Sequence, residues 1–535
     1  MSPERAVDTL SAQVIAAVDI GSNAIRMVVA EILADGNVEV LERLQQGIHL
    51  GQDSFRRGRL GGPTMQASIG ILREYRRTLE IYHPRHLRTV ATSAIREAGN
   101  SDVFLDRVLM TTGFDIEVIG PAEESRLIVA GVRQHLSPEM RSRRGLLLVA
   151  HVGGGSTLLT VLQQGEIVES QSVPLGSIRL REGLLSGSEP PKQAAEVLRR
   201  QIANVLHAMQ SGLPLERIEN FIAIGGDARF AAQYIGKPSA PGGPMLIERG
   251  PFDKLVRRCE QHPTEKLASM FALPYPDAET LNPALLVYQA LWDATRAPHL
   301  IVSPVSMRDG LLLDMAARVT GREDEALAKG IVRSALAVAR KYRVDRRHAE
   351  TVAELAVRLF DVLQTEHGLP ARARLLLRVA ALLHEVGGFV SNRSHHKHSY
   401  YLIANAEIFG LTREEHLVVA HVARYHRRAS PQPSHLEYMA LTRDRRMAIS
   451  KMAALLRVAD ALDRAHTGHV RTFRAERQGD ELAIFVPEVA DLTLERHALL
   501  QKSDMFADIF GLKVRVEKEI TSAESLSGLR VAETR

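Results

Sequence analysis

The stretch LLLVAHVGGGSTLLTVLQQGEIVESQSV, residues 146–173, decides how the rest of the chain is read. An apolar run leads into three glycines, a serine and a threonine, and two further runs follow, separated by a turn at Gly165. Branched and apolar residues in such runs make strands, and glycine punctuates the turns between them. The pattern is strand, glycine-rich turn, strand, tight turn, strand. Residues 14–44, VIAAVDIGSNAIRMVVAEILADGNVEVLERL, repeat it, with an Asp35-Gly36 turn between the second and third strands. Asp19-Ile20-Gly21-Ser22 aligns with His151-Val152-Gly153-Gly154. Residues 64–82 and 192–209, one stretch after each unit, carry apolar residues at three- and four-residue spacing and predict helices.

A duplication of this kind predicts two similar α/β lobes facing one another, with both glycine turns converging on a cleft. Glycine lets a backbone approach an anion closely and offer it N–H groups. This is the plan of the actin, sugar-kinase and heat-shock ATPase superfamily. The competing reading is two unrelated hairpins in mixed domains. After about residue 322 the composition changes. Residues 324–342, 347–368, 372–387 and 449–466 are long amphipathic helical patterns. From about residue 471 the chain turns β-rich, with a hairpin at Gly479-Asp480, one helix over 493–511 and a last strand over 512–520. The expected fold class is α/β with two duplicated actin-like (ribonuclease H-like) lobes, 13–135 and 136–320. An all-helical domain, 321–470, and a small α+β module, 471–535, complete it.

The single cysteine, Cys259, excludes an internal disulfide framework and fits a reducing compartment. No apolar run approaches the length that spans a bilayer, and the first residues lack the apolar core of a signal peptide. The expectation is a cytoplasmic protein without a membrane partner. With 68 basic and 63 acidic residues, the net charge of +5 is small for a nucleic-acid binder of this length, and no sequence-specific nucleic-acid partner is expected. Basic runs at 56–59, 141–144, 424–428 and 443–446 permit a polyanionic ligand, although most such runs are solvated faces.

Several motifs, in this order, resemble the exopolyphosphatase / guanosine pentaphosphate phosphohydrolase (Ppx/GppA) family. AAVDIGSNAIRMVVAEI resembles its first phosphate loop and VGGGST its second. TVATSAIREAGN (89–100), VIGPAEESRLIVAG (118–131), PLGSIRLRE (174–182) and SPVSMRDGLLLDM (303–315) are similar to segments between and after them. Residues 380–416 resemble the HD-like helical domain that longer members append. The resemblance implies hydrolysis of the terminal phosphoanhydride of inorganic polyphosphate, or of the 5′ terminal phosphate of guanosine pentaphosphate, with Mg²⁺. It implies Glu124 as catalytic base. Phosphate would be bound by Gly21, Ser22, Asn23, Arg96, Gly153, Gly154, Gly155 and Ser156, and a homodimer becomes the expected assembly. Attack on a terminal phosphoryl group needs an aligned water, a base and charge neutralisation, and these residue types supply them.

Three positions depart from the family pattern. His151 stands where Asp is usual before the second glycine loop, and Leu158 where Glu is usual after it. In AIGGDARF (223–230), Asp227 takes a threonine position. Mg²⁺ prefers hard oxygen ligands, which His151 and Leu158 do not offer. One reading rebuilds the metal site from Asp19, Asp227 and substrate oxygens. A second has His151 favour Mn²⁺. A third is a catalytically impaired protein that binds polyphosphate or guanosine tetra- and pentaphosphate as a regulator. A protonated His151 supplying positive charge is a further alternative, and a small-molecule kinase of the same superfamily is the remaining rival class.

In the helical region His348, His384, Glu385, His421, His426 and Asp460 invite a metal-phosphohydrolase reading, but LHEVG carries Glu where that pattern has Asp. The resemblance implies a non-catalytic domain, with buried hydrogen-bonded histidines as the alternative to a metal site. Residues 391–402 and 424–428 could line a basic path for a long polyanion, with Lys397, Arg424 and Arg427 as its cations.

Overall fold

The computed structural model describes residues 13–519, except 35, 137–139, 141–144, 185–188, 210–211, 240–242, 321–324, 407 and 428. Asp35 of the first hairpin, the basic run at 141–144 and Arg428 therefore lie outside the described residues. The chain divides into two compact units, Met1–Gly330 and Ile331–Arg535.

In the first unit, strands β1 (Gln13–Ile20), β2 (Ala24–Ile32), β3 (Val38–Gly47), β4 (His86–Ala91) and β5 (Ile116–Val118) form one sheet in the order β3-β2-β1-β4-β5. A second sheet contains β6 (Leu146–Val152), β7 (Thr157–Gln163), β8 (Glu166–Val173) and β9 (Ile218–Ile224). It is completed by β10 (Lys237–Pro238), β11 (Met245–Glu248) and β12 (His299–Val302). Its order is β10-β11-β12-β9-β6-β7-β8. The run β8-β7-β6-β9-β12 thus repeats β3-β2-β1-β4-β5. Strand directions repeat as well: the first three strands of each lobe pair antiparallel and the later two join in parallel. The duplication read from the glycine turns is a duplication of whole sheets, and the β10–β11 hairpin is an addition to the second.

The central strands β1 and β6 are almost wholly buried, as a strand covered on both faces must be, which explains their unbroken apolar sequence. Gln164 (φ 52°) and Gly165 (φ 74°) are both left-handed, the geometry of a two-residue hairpin turn whose twist suits the strands it joins. The helix Gly62–Tyr82 buries Met65, Ile69, Leu72, Tyr75 and Leu79, one stripe at helical spacing, and Pro191–Met209 buries Ala195, Leu198, Ile202, Leu206 and Met209 in the same way.

The second unit contains the helices Arg346–Val362, Ala371–Leu383, His395–Ala404, Arg413–Arg424 and Arg443–Leu462. A three-stranded sheet of β13 (Arg474–Gln478), β14 (Glu481–Val486) and β15 (Lys513–Lys518) follows. The single helix expected over 493–511 is instead two, Thr493–Lys502 and Asp504–Phe510, broken at Ser503. The break serves ion pairing. Lys502 reaches Asp460, and Asp504 lies 2.8 Å from the fully buried Arg457. Arg424 stacks over the rings of Tyr400 and Tyr425 and lies 3.8 Å from Glu437, so part of its charge is already answered. Among the described residues no helix is long and apolar enough to cross a membrane.

Candidate active site

Both glycine turns close by the same hydrogen bond. Gly21 N–H donates to the Ala24 carbonyl at 3.0 Å, and Gly153 N–H to the Ser156 carbonyl at 3.0 Å. The carbonyls of Gly153 and Gly154 are tied back by the N–H groups of Ser177, Ile178 and Arg179 at the start of helix Ser177–Leu184. The turns meet across the cleft. A Cβ on Gly154 would stand 2.8 Å from Ser22 Cβ, and one on Gly155 would stand 2.2 Å from Ser93 Oγ. Only glycine permits that approach. Ser22 Oγ lies 3.3 Å from Ser93 Oγ, and Asn23 Nδ2 donates to the Pro276 carbonyl at 3.4 Å.

The cleft between the lobes has a volume of about 390 Å³. Its walls include Asp19, Gly21, Ser22, Asn23, Glu124, the run Gly153–Ser156 and Asp227. Arg96 is absent from the wall and stands behind Glu124. Its Nη1 donates to Glu124 Oε1 at 2.7 Å and to the Ile119 carbonyl at 2.6 Å. Gly120 and Pro121 open the helix Pro121–His135, placing Glu123 and Glu124 in its first turn, where the helix dipole favours negative charge. The two glutamates then part company. Glu123 bonds Arg126 at 2.6 and 2.7 Å and Arg88 at 3.1 Å, and both arginines also pair with Asp314. Burial alone would raise the Glu123 pKa, but the two arginines overcome it and hold the carboxyl at about 2. Glu124 is only 5% exposed, and its pKa is raised, chiefly by burial, against the opposing pull of Arg96.

Three cleft cations escaped the sequence reading: Arg26, Arg229 and Arg308. Arg26 is the cross-strand partner of Asp19, with Nη1 3.7 Å from its carboxylate. Burial lowers the pKa of Arg308 to about 10 despite the nearby Asp19, and its buried Nε has no hydrogen-bond partner. The signals were present as one cation inside each of GSNAIR, GGDAR and SPVSMRDG, but nothing in the local pattern distinguished them from surface charges.

His151 and Leu158 are cross-strand partners on β6 and β7, at the register where the first lobe pairs Asp19 with Arg26. Leu158 is 2% exposed. Burial, reinforced by Arg229 and Arg26, lowers the His151 pKa to about 4. Burial thus disfavours the protonated imidazole and argues against the reading in which His151 supplies positive charge. Its buried Nδ1 has no hydrogen-bond partner. Asp227 Oδ1 accepts from Thr280 Oγ1 at 3.0 Å, and burial raises the Asp227 pKa to about 6. Among the described residues no three metal-type donors of the cleft lie within 4.8 Å of one another; the groups that do are in the second unit.

A guanosine-5′-triphosphate,3′-diphosphate pyrophosphatase of Vibrio vulnificus is 25% identical over 424 residues, covering 77% of this chain and 80% of the relative. The corresponding protein of Vibrio parahaemolyticus is also 25% identical, over 83% and 87% of the two chains. Among solved structures, an exopolyphosphatase from Cytophaga hutchinsonii superposes with a TM-score of 0.53 at 21% identity, over 57% of this chain and 98% of that one, a likeness of fold. Residues 28–319 match the model of the Ppx/GppA phosphatase family and residues 332–505 that of its domain III. The second glycine turn, Gly153–Ser156, and the helix that carries Glu124 into the cleft lie inside the first match, which covers more than half of the sequence, and the chain belongs to the Ppx/GppA phosphatase family.

Proposed function

We propose that the protein hydrolyses terminal phosphoanhydride bonds, releasing orthophosphate from inorganic polyphosphate or from guanosine pentaphosphate. The observation that carries this reading is Glu124: a buried carboxylate with a raised pKa on the wall of a cleft that two glycine turns also line. The N–H groups of Gly154 and Gly155 and the hydroxyls of Ser22 and Ser156 hold the terminal phosphates. Arg26, Arg229 and Arg308 neutralise charge on the transferring phosphoryl group and the leaving oxygen. Glu124 takes a proton from the attacking water, and Arg96 fixes the orientation of its carboxylate.

Among the described residues no three cleft donors converge as a ready-made metal site, so a divalent cation there would rest on few protein atoms and on the substrate's own oxygens. Asp19 and Asp227 supply carboxylates, and the orphaned Nδ1 of His151 supplies a nitrogen that suits Mn²⁺ better than Mg²⁺. The cation would neutralise phosphate oxygens, and the substrate would complete its coordination, as is usual for Mg²⁺ at phosphate sites. Replacement of two usual acids by His151 and Leu158 supports weaker turnover with Mg²⁺ than with Mn²⁺. Orthophosphate release from polyphosphate and from guanosine pentaphosphate, measured with each metal, tests the proposal; no release from either substrate with either metal would refute it.

A further inference from the structure

The second unit holds a side-chain cluster that the cleft chemistry does not use. His348 stands in the first turn of Arg346–Val362, His384 directly follows Ala371–Leu383, and Asp460 lies near the end of Arg443–Leu462. Both imidazoles have no exposed surface, and Asp460 is 4% exposed. The partner behind each ring decides where its proton sits. His384 Nδ1 lies 2.6 Å from the Ala381 carbonyl, which can only accept, so Nδ1 carries the hydrogen. In the neutral ring Nε2 is then a bare lone pair, and it faces Asp460 Oδ1 at 4.0 Å. His348 Nδ1 lies 2.8 Å from Asp463 Oδ2, again an acceptor, and its Nε2 is 3.6 Å from the same Asp460 oxygen, too far for a hydrogen bond. Neither Nε2 has a hydrogen-bond partner. The other oxygen of Asp460 is held by Lys502.

Three ligand atoms thus converge within 4.8 Å of one another in the buried interior, with no hydrogen bond joining them. Buried polar atoms are almost always paired, and of these three only His348 Nε2, when the ring is doubly protonated between Asp460 and Asp463, could donate to another. A cation supplies the missing partner. We propose that the second unit binds one divalent transition-metal ion through His348 Nε2, His384 Nε2 and Asp460 Oδ1. Two imidazoles and one carboxylate select Zn²⁺ and its first-row neighbours over Mg²⁺. The groups behind the ligands are already in place: Asp463 behind His348, the Ala381 carbonyl behind His384 and Lys502 on the far oxygen of Asp460. Bonds of about 2.0–2.1 Å in a tetrahedral shell put neighbouring ligand atoms about 3.4 Å apart. The two nitrogen-to-Asp460 spacings are 3.6 and 4.0 Å and all three atoms lie within 4.8 Å of one another, so the ligands would draw together on the ion. Glu385, the carboxylate next to His384 in sequence, belongs with His348 and His466 to an alternative set that the test separates.

Full-length protein is stripped with a chelator, exposed to micromolar Zn²⁺, desalted and analysed for metal. The expected result is about one equivalent of Zn²⁺ retained per chain. Affinity should fall at least roughly tenfold in His348→Gln, His384→Gln and Asp460→Asn, and stay unchanged in Glu385→Gln. Co²⁺ added to the unmutated protein should give visible absorption of a nitrogen- and oxygen-ligated ion that Zn²⁺ abolishes, a readout that requires no variant to fold. Failure of the unmutated chain to retain Zn²⁺, or folded histidine variants that retain it as well as the parent, overturns the proposal. Loss in Glu385→Gln with retention in Asp460→Asn overturns it too.

Discussion

Glu123 and Glu124 are chain neighbours, both buried, and two isosteric amide substitutions should separate stability from turnover. Glu123 sits among Arg88, Arg126 and, through them, Asp314, tying β4 to the helices Pro121–His135 and Met307–Thr320. Its carboxyl is brought from an ordinary 4.5 to about 2. At 1.36 kcal/mol for each tenfold change in acid constant, that corresponds to about 3 kcal/mol of charge-dependent stability. Removing one partner of a buried ion pair costs about 3–5 kcal/mol, the same order. Because the folded-state value lies below the unfolded one, this stability is complete above about pH 4.5 and disappears as the pH falls toward 2. Glu123→Gln should therefore lose about 3 kcal/mol at pH 7, read as a lower urea midpoint, and the difference from the parent should shrink by pH 3.

Glu124→Gln should do the reverse. Burial already disfavours the ionised Glu124, so a neutral amide costs the fold little, while loss of the general base lowers phosphate release by about 10²–10⁴-fold. Unfolding curves and orthophosphate release measured on both variants decide the matter. A Glu124→Gln protein that keeps full turnover, or a Glu123→Gln protein as stable as the parent, would refute the division of labour drawn from these hydrogen bonds.

Gly310→Ala should destabilise the first unit by at least about 1–3 kcal/mol and reduce turnover, because the new Cβ would stand 1.7 Å from the Leu127 carbonyl oxygen on the helix that carries Glu124; thermal unfolding and phosphate release check both. The pH profile of turnover should be bell-shaped. Its acid limb lies above the ordinary glutamate range because the Glu124 base is protonated there, and its alkaline limb reports the acid that protonates the leaving group or the bound phosphate. His151→Asp combined with Leu158→Glu should raise Mg²⁺-supported turnover and abolish any preference for Mn²⁺. An unchanged metal preference in that double variant would show that these positions do not set it.

The fold was legible because its signals are local. Glycine after an apolar run marks a turn in each lobe independently, and two identical strand–turn–strand plans in one chain leave few topologies in which both buried strands are central. Helical stripes behaved similarly, except at Ser503, where an unbroken apolar pattern concealed a break made for the Lys502 and Asp504 ion pairs. The cleft was only half legible. Glycines and the Glu-Glu helix start announce themselves, whereas Arg26, Arg229 and Arg308 are single cations on three separate elements, and only the closed sheets bring them to one cavity. Arg96 shows the opposite failure. Its segment was readable, but its place behind Glu124 is a tertiary fact carried by a 2.7 Å hydrogen bond.

His151 and Leu158 draw these threads together. They read as two separate losses in the sequence, seven residues apart, yet they face each other directly across β6 and β7. Removing one acid of a cross-strand pair would leave its partner's charge beside a neutral imidazole in a buried site, which is costly; removing both leaves a neutral ring against an apolar side chain. The pair is coherent as a unit. The first lobe keeps an acid at the equivalent register, where Asp19 faces Arg26, and burial raises the Asp19 pKa against the opposing pull of Arg26 and Arg308. The cleft thus sets three arginines, Arg26, Arg229 and Arg308, beside the two carboxylates Asp19 and Asp227, so phosphate can be met by cations directly. It follows that His151→Asp alone, without Leu158→Glu, should gain less than half of what the double variant gains in Mg²⁺-supported turnover, because a lone buried aspartate opposite leucine keeps its proton. Equal gains from the single and double variants, measured as orthophosphate release at saturating Mg²⁺, would show that the two positions act separately.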